Sequence, residues 1–507
     1  MIVVIESGAV DGLEGYGVRV EVDAGRGLPS FQIVGLPNAA VRESRERVLS
    51  AMRHQDIPRP SGRVVVNLAP ADVRKEGAAV ELALALGVGL QGANRRLTGT
   101  LEGAVVLGDL SLSGRVEPVH GMLAMVQALA EAGRRRFIVP AQQVEEALLV
   151  PGVMVAGAHS LDVAWAWALG RSAVPWRAGG RQLPCRSLSG RGDRGPSLLA
   201  STPTNLARLA VVAAAGRHNV LLVGPPGGGK TRLCRTIAAL QPPLNTIEAL
   251  DVLRIHGAIQ IRNSPTCMPE RPFRAPHHTV TRSGLVGGGN SMRPGEISLA
   301  HHGILFLDEI NEYASGVLET LREPLEEGSL CVARGGGVRR WPARFQLLAA
   351  MNPCRCGWLG SQIRRCSCSE NERARFRTRM SGPLLDRIDC FAEVVDGEVT
   401  LRGAATGSAD ISRWSAVGGD VAAAHAMLRD VEEDLAGVRS VMSDTAARLL
   451  DEVRTAWGMT VRSLLRCARV ARTIAALDRR GRVERADVVE ALGWRREAVL
   501  QTTQGDP

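Results

Sequence analysis

NVLLVGPPGGGKTRLCRTIAAL, residues 219 to 240, decides how the rest of this chain is read. Residues Val220 to Val223 are a short apolar run, Gly224 to Thr231 follow the pattern G-x-x-x-x-G-K-[ST], and apolar residues recur at helical spacing after it. Strand, glycine-rich turn and helix in that order make a loop whose backbone N–H groups converge on phosphate oxygens. Gly224, Pro225, Pro226, Gly227, Gly228 and Gly229 form the cradle, and at its glycines the backbone can approach where a Cβ would obstruct. The helix N-terminus adds its dipole. Lys230 is expected on the β and γ phosphates of ATP, and Thr231 on Mg²⁺.

Two further apolar runs complete the expectation. GILFLDEI, residues 303 to 310, reads as a parallel strand buried on both faces. Its end in two acids is costly unless they have work to do. Asp308 is expected in the Mg²⁺ shell and Glu309 as the base that orients the attacking water. FQLLAAMNP, residues 345 to 353, is a third buried strand ending in Asn352. An amide beside Asp308 at the carboxyl edge of the sheet can bond both lytic water and γ-phosphate. SGPLLDRID, residues 381 to 389, puts Arg387 on a helix-like stretch. Arg462 starts an amphipathic basic helix in TVRSLLRCARVARTIAAL. Taken alone, each of these arginines reads as an ordinary surface residue.

The 507 residues carry a net charge of +10, but only two of the 62 basic residues are lysines, Lys75 and Lys230. The basicity therefore reflects a preference for arginine along the whole chain, and is weak support for a nucleic-acid partner. A lysine retained in such a chain points to a need for a compact ammonium. No segment is long and apolar enough for a membrane helix, and the start lacks a basic segment before an apolar run. With ten cysteines and no secretory signal, the expectation is a cytoplasmic protein with thiols or metal ligands and no membrane association.

Residues 1–170 alternate strand-like and helix-like stretches; 171–200 are rich in Gly, Pro, Ser and Arg and read as a linker. Residues 201–395 form a second α/β segment, 396–420 a loop, and 421–500 helices only.

The motifs GPPGGGKT, RPFRAPHHTVTRSGLVGGGNSMRPGEISLAHHGILFLDEINE, LREPLEEGSL, PARFQLLAAMNPCRCG and SGPLLDRID together resemble the magnesium chelatase-like AAA+ ATPases of the YifB/ComM type. The resemblance covers nearly the whole chain. It implies an α/β protein with a P-loop AAA+ core built on a parallel sheet and a C-terminal all-helical lid. It also implies a homo-hexameric ring that uses ATP and Mg²⁺ to drive branch migration of DNA in recombination or natural transformation; binding without sequence specificity is expected instead from arginines that lack a base-reading context. Asn352 becomes sensor 1, Arg387 an arginine finger acting on the neighbouring subunit, and Arg462 the sensor-2 arginine. The alternative within the same family is a chelatase motor that inserts metal into a tetrapyrrole. Residues 1–170 resemble the S5-like α+β proteolytic domain of Lon, but Ala79 and Leu123 replace its Ser–Lys dyad and Lys75 is not at the catalytic position. No peptidase activity is expected.

Cys354, Cys356, Cys366 and Cys368 have the spacing C-x-C-x₉-C-x-C. Four thiolates can surround Zn²⁺, but C-x-C is tighter than the usual structural spacing, so zinc and reduced thiols both stay open. The other six cysteines read as small buried hydrophobes. Arg334, Arg339 and Arg340 read as a hairpin tip, and Arg282 and Arg293 as flanks of a second loop, both suited to phosphate contacts along a pore.

Overall fold

Val3–Asp11 and Glu14–Gly25 alternate inward and outward residues and pair antiparallel around Gly12, whose φ is 66°. This hairpin is the centre of an eight-stranded sheet in the computed structural model. The structure describes residues 2–35, 39–70, 79–95, 101–180, 198–199, 202–259, 269–288, 293–334, 337–361, 363–377, 380–394, 417–428 and 435–495. Lys75 and most of both expected linker stretches lie outside them.

The chain forms two compact units. The first comprises residues 1–186 together with 245–269. On one side of its hairpin, Ala104–Val106, Arg136–Pro140 and Met154–Ala158 add in parallel. On the other, Arg63–Ala69 adds antiparallel and Ser30–Val34 parallel. The helix Glu81–Gly92 is buried over its first ten residues, and an added Cβ at Gly87 would come within 2.7 Å of Val22. A helix apolar all round belongs inside a core, and its glycines let the sheet approach. The helix Thr246–Gly257 comes from the middle of the sequence yet belongs to this unit, with Leu253 in the same cluster as Leu123 and Ala79. Asn245 and Glu248 cap it reciprocally.

The second unit comprises residues 187–244 and 270–507. Its five-stranded sheet is parallel throughout, in the order Phe273–Arg274, Ile304–Leu307, Gln346–Met351, Val220–Val223, Cys390–Glu393. Val223 lies opposite Met351, and Leu307 opposite Ala349. Parallel pairing in this register carries the three strand ends, and the residues just beyond them, to one edge. The described part of the C-terminal region is helical: Val417–Leu428, Leu435–Ser440, Asp444–Trp457, Val461–Leu477 and Arg485–Gly493. These helices share one hydrophobic core with the sheet and the helix Thr204–Gly216. The mixed α/β architecture, the parallel central sheet and the helical C-terminus are those expected from the sequence.

Candidate functional site

The apolar strand Val220–Val223 ends at Gly224, where a Cβ would come within 2.3 Å of the Val394 carbonyl oxygen. Gly229 turns the chain into the helix Lys230–Leu240 with φ 84°, a conformation disfavoured for any residue with a Cβ. Lys230 is buried. Its Nζ donates to the carbonyl oxygens of Gly224 (2.6 Å) and Pro225 (2.8 Å) and to Asn352 Oδ1 (3.2 Å). The ammonium thus bridges the loop to the end of the neighbouring strand. A buried ammonium bonded to carbonyl and amide oxygens is poised to exchange some of them for an anion.

Thr231 Oγ1 donates to Asp308 Oδ2 at 3.1 Å. Adjacent oxygens around a cation with Mg²⁺-length bonds are separated by about 3 Å, so this hydroxyl–carboxylate pair fits a hard divalent ion. Asp308 Oδ1 accepts the backbone N–H of Glu309 at 3.0 Å. Glu309 takes φ 50° and ψ 49°, a left-handed conformation uncommon outside glycine, and its side chain is exposed toward solvent. The structure therefore brings Lys230, Thr231, Asp308 and Asn352 into one bonded constellation, with Glu309 at its rim.

Arg387 and Arg462 do not join that constellation through any hydrogen bond or ion pair among the described residues. They meet each other instead. Arg387 Nη2 lies 2.6 Å from Glu326 Oε1, and Arg462 Nη2 lies 3.0 Å from the same oxygen. Arg387 is 6% exposed, and its Nε has no hydrogen-bond partner among the described residues. Arg462 follows Thr460, whose hydroxyl caps the helix Val461–Leu477.

A second network holds the Arg387 segment in place. Asn219 Nδ2 donates to the Arg387 carbonyl at 3.0 Å, and Asn219 N–H to Asp389 Oδ2 at 2.7 Å. Arg466 donates to Asp389 Oδ1 at 2.7 Å, and Arg495 to the carbonyls of Ile388 and Asp389. Burial alone would raise the Asp389 carboxyl, but the guanidinium groups of Arg466 and Arg469 outweigh it and hold it below its usual range. Burial pushes His218 down to about 4, so it stays neutral; its Nε2 shares a 2.8 Å hydrogen bond with Thr473. Glu326, Asn219, Asp389, Arg466 and Arg495 were not singled out from the sequence. Glu326 lies in LREPLEEGSL and Asp389 directly follows Arg387 and Ile388, so the available signal was an acid inside each motif.

The four cysteines of residues 354–368 come together, with every pair of sulfur atoms within 4.8 Å. Of the other six, Cys234, Cys390 and Cys467 are buried as expected. Cys331 is exposed, because it lies on an outward position of the two-stranded hairpin Ser329–Arg334 and Gly337–Pro342. Cys185 and Cys267 lie outside the described residues. Arg339 and Arg340 sit along that hairpin opposite Val332 and Cys331 rather than at its turn, and Arg340 donates to Ser329 Oγ at 2.8 Å. The tip itself, 335–336, lies outside the described residues.

Sequence profiles of magnesium chelatase match three stretches of the chain. "Subunit ChlI of Mg-chelatase" covers 20–143, "Magnesium chelatase, subunit ChlI" covers 201–400, and "Magnesium chelatase, subunit ChlI C-terminal" covers 412–495. An uncharacterized protein of Mycobacterium tuberculosis is 37% identical over 503 residues, 96% of this chain and 97% of its own. The competence protein ComM of Haemophilus influenzae is 33% identical over 505 residues, 97% of each chain. The magnesium-chelatase 38 kDa subunit of Cereibacter sphaeroides is 31% identical over 153 residues, 27% of this chain and 46% of its own.

Proposed function

The chain belongs to the magnesium chelatase-like AAA+ ATPases of the YifB/ComM family, and from that premise we propose that it is an ATP-driven ring motor that moves branched DNA. The family implies use of ATP and Mg²⁺. The observation that carries the residue assignments is the joining of Lys230, Thr231, Asp308 and Asn352 across three strands of one sheet edge.

Lys230 and the backbone N–H groups of the loop's glycines bind and orient the triphosphate. Thr231 and Asp308 would hold Mg²⁺, which would supply charge neutralisation to the phosphates. Glu309 takes a proton from the attacking water, and Asn352 aligns that water with the γ-phosphate. Arg387 of one copy stabilises charge on the phosphoryl group held by the next, and Arg462 senses it from the helical lid. This arrangement requires a ring of copies, a hexamer in our reading, working in the cytoplasm. Residues 1–170, read as an S5/Lon-like domain without its dyad, serve assembly rather than proteolysis.

DNA is favoured over a tetrapyrrole because the pairwise likeness to ComM runs nearly the full length of both chains, whereas that to the chelatase 38 kDa subunit of Cereibacter sphaeroides covers about a quarter of this one, although chelatase profiles match along most of it. The test is branch migration of a synthetic four-way junction by wild type beside Lys230→Ala and Glu309→Gln. Wild type should move the junction and hydrolyse ATP faster with it; both variants should do neither. Turnover stimulated by porphyrin and partner subunits, but not by DNA, would establish the chelatase reading instead.

A further inference from the structure

Residues 352–369 leave the sheet edge at Asn352 and contain no helix or strand among the described positions. Such a loop needs something other than a backbone ladder to hold its shape. What gathers in it is sulfur. Cys354 Sγ lies 3.4 Å from Cys356 Sγ and 3.6 Å from Cys366 Sγ, and Cys356 and Cys366 are 3.6 Å apart. The backbone N–H of Cys356 donates to Cys368 Sγ at 3.3 Å. None of these pairs is at disulfide length, and all four cysteines are free. Around a zinc ion with bonds of ~2.3 Å, the edges of a sulfur tetrahedron are about 3.8 Å. Neutral thiols gain little from such crowding; four thiolates sharing a divalent soft-tolerant cation gain a great deal. The N–H donated to a sulfur is the kind of outer contact that steadies a thiolate ligand.

The position of the cluster matters as much as its shape. Cys354 follows Asn352 by two residues. Gly357, with φ 85°, closes the first turn of the loop so tightly that a Cβ there would lie 2.9 Å from Cγ and Cδ of Pro226. The same Cβ would lie 4.0 Å from Asn352 Cγ. The first Cys-x-Cys turn is therefore a wall against the phosphate loop and an anchor for the amide that bonds Lys230.

We propose that Cys354, Cys356, Cys366 and Cys368 bind one Zn²⁺, and that this ion is a positioning element holding Asn352 and Pro226 in register with Lys230. The positioning half rests on the nucleotide-site reading above; the metal half does not.

The experiment uses the full chain, purified under reducing conditions. Metal content by mass spectrometry should show zinc near one equivalent. Exchange with Co²⁺ should give the sulfur-to-metal charge-transfer absorption of a tetrahedral thiolate site. Cys366→Ser with Cys368→Ser should lose both signals. That variant should keep ATP binding but lose turnover roughly tenfold to a hundredfold, as expected for a misplaced rather than missing group. Should the double variant fail to fold, chelation of wild type followed by Zn²⁺ return, monitored by circular dichroism and turnover, takes its place. A reduced chain that holds no zinc and gives no cobalt spectrum overturns the site. Zinc lost with turnover unchanged overturns the positioning role. Zinc present in a chain without any ATP turnover leaves the site standing and defeats the nucleotide reading.

Discussion

The two units treat buried polarity in opposite ways. In the first, the positions expected to lack a Ser–Lys dyad are filled with hydrocarbon: Ala79 is 2% exposed and Leu123 1%, both within one apolar cluster. Beside them, buried Glu81 accepts from Arg47 and from the Leu110 N–H. Burial and the neighbouring Glu81 push Asp109 up to about 8, and burial pushes Glu146 up to about 7. Asp109 and Glu146 favour their neutral forms. In the second unit Lys230, Asp389 and Arg387 are equally buried, and each bonds a group more than sixty residues away, Asn352, Arg466 and Glu326 respectively. The first unit keeps the ion pair of Arg47 with buried Glu81 and otherwise favours neutral buried acids, whereas the second surrounds buried polar groups with oxygens and guanidinium groups.

The sharpest way to break this contrast is to exchange the chemistry. Lys230→Ala and Glu309→Gln should each lower ATP turnover at least about a hundredfold, read as phosphate release. Ala79→Ser with Leu123→Lys should yield no peptide hydrolysis and leave turnover unchanged. Because it places an unpaired ammonium in an apolar cluster, it should cost roughly 2–5 kcal/mol of stability in urea unfolding. Any peptidase activity in that variant would show that the first unit is a disabled enzyme rather than a scaffold.

Asp389→Ala strips Arg466 and the Asn219 N–H of their shared carboxylate and should cost about 3–5 kcal/mol, measured the same way.

The pH response comes next. Asp109 and Glu146 have folded values above their unfolded ones, so the stability they contribute is complete near pH 4 and is lost as pH rises through 7 and 8. His218 has a folded value below its unfolded one, so its contribution is complete above about 6.5 and is lost as pH falls toward 4. Hydrogen exchange resolved by peptide should therefore show the first unit loosening and the second tightening between pH 5 and pH 8, each by roughly 1–3 kcal/mol. Parallel changes in both units would end the comparison.

The smallest effect separates the two arginines on Glu326. Arg462→Ala removes a side chain that is 65% exposed and should cost no more than about 0.5 kcal/mol. Glu326→Ala leaves the buried Arg387 guanidinium without its ion partner and should cost about 1–3 kcal/mol.

What could be read from the sequence was local. Gly224 to Thr231, the run ending in Asp308 and Glu309, and the run ending in Asn352 are contiguous patterns. A buried parallel strand followed by a polar residue is written in neighbouring letters. The three strands then pair in parallel register, as their apolar runs suggested. The network around Arg387 was not legible for two reasons. Its members, Asn219, Glu326, Asp389, Arg466 and Arg495, are scattered over some 280 positions. In a chain with 60 arginines, one more carries no signal.

By itself the order of residues determined which elements form and which of them end in a phosphate-binding turn, a carboxylate or an amide, because backbone propensity and apolar periodicity act over a few residues at a time. Which arginine shares which acid, and that a cysteine turn leans on Pro226, was settled only when the chain folded. Close packing brings together groups that no local pattern relates, and a buried charge takes whichever partner that packing leaves within reach.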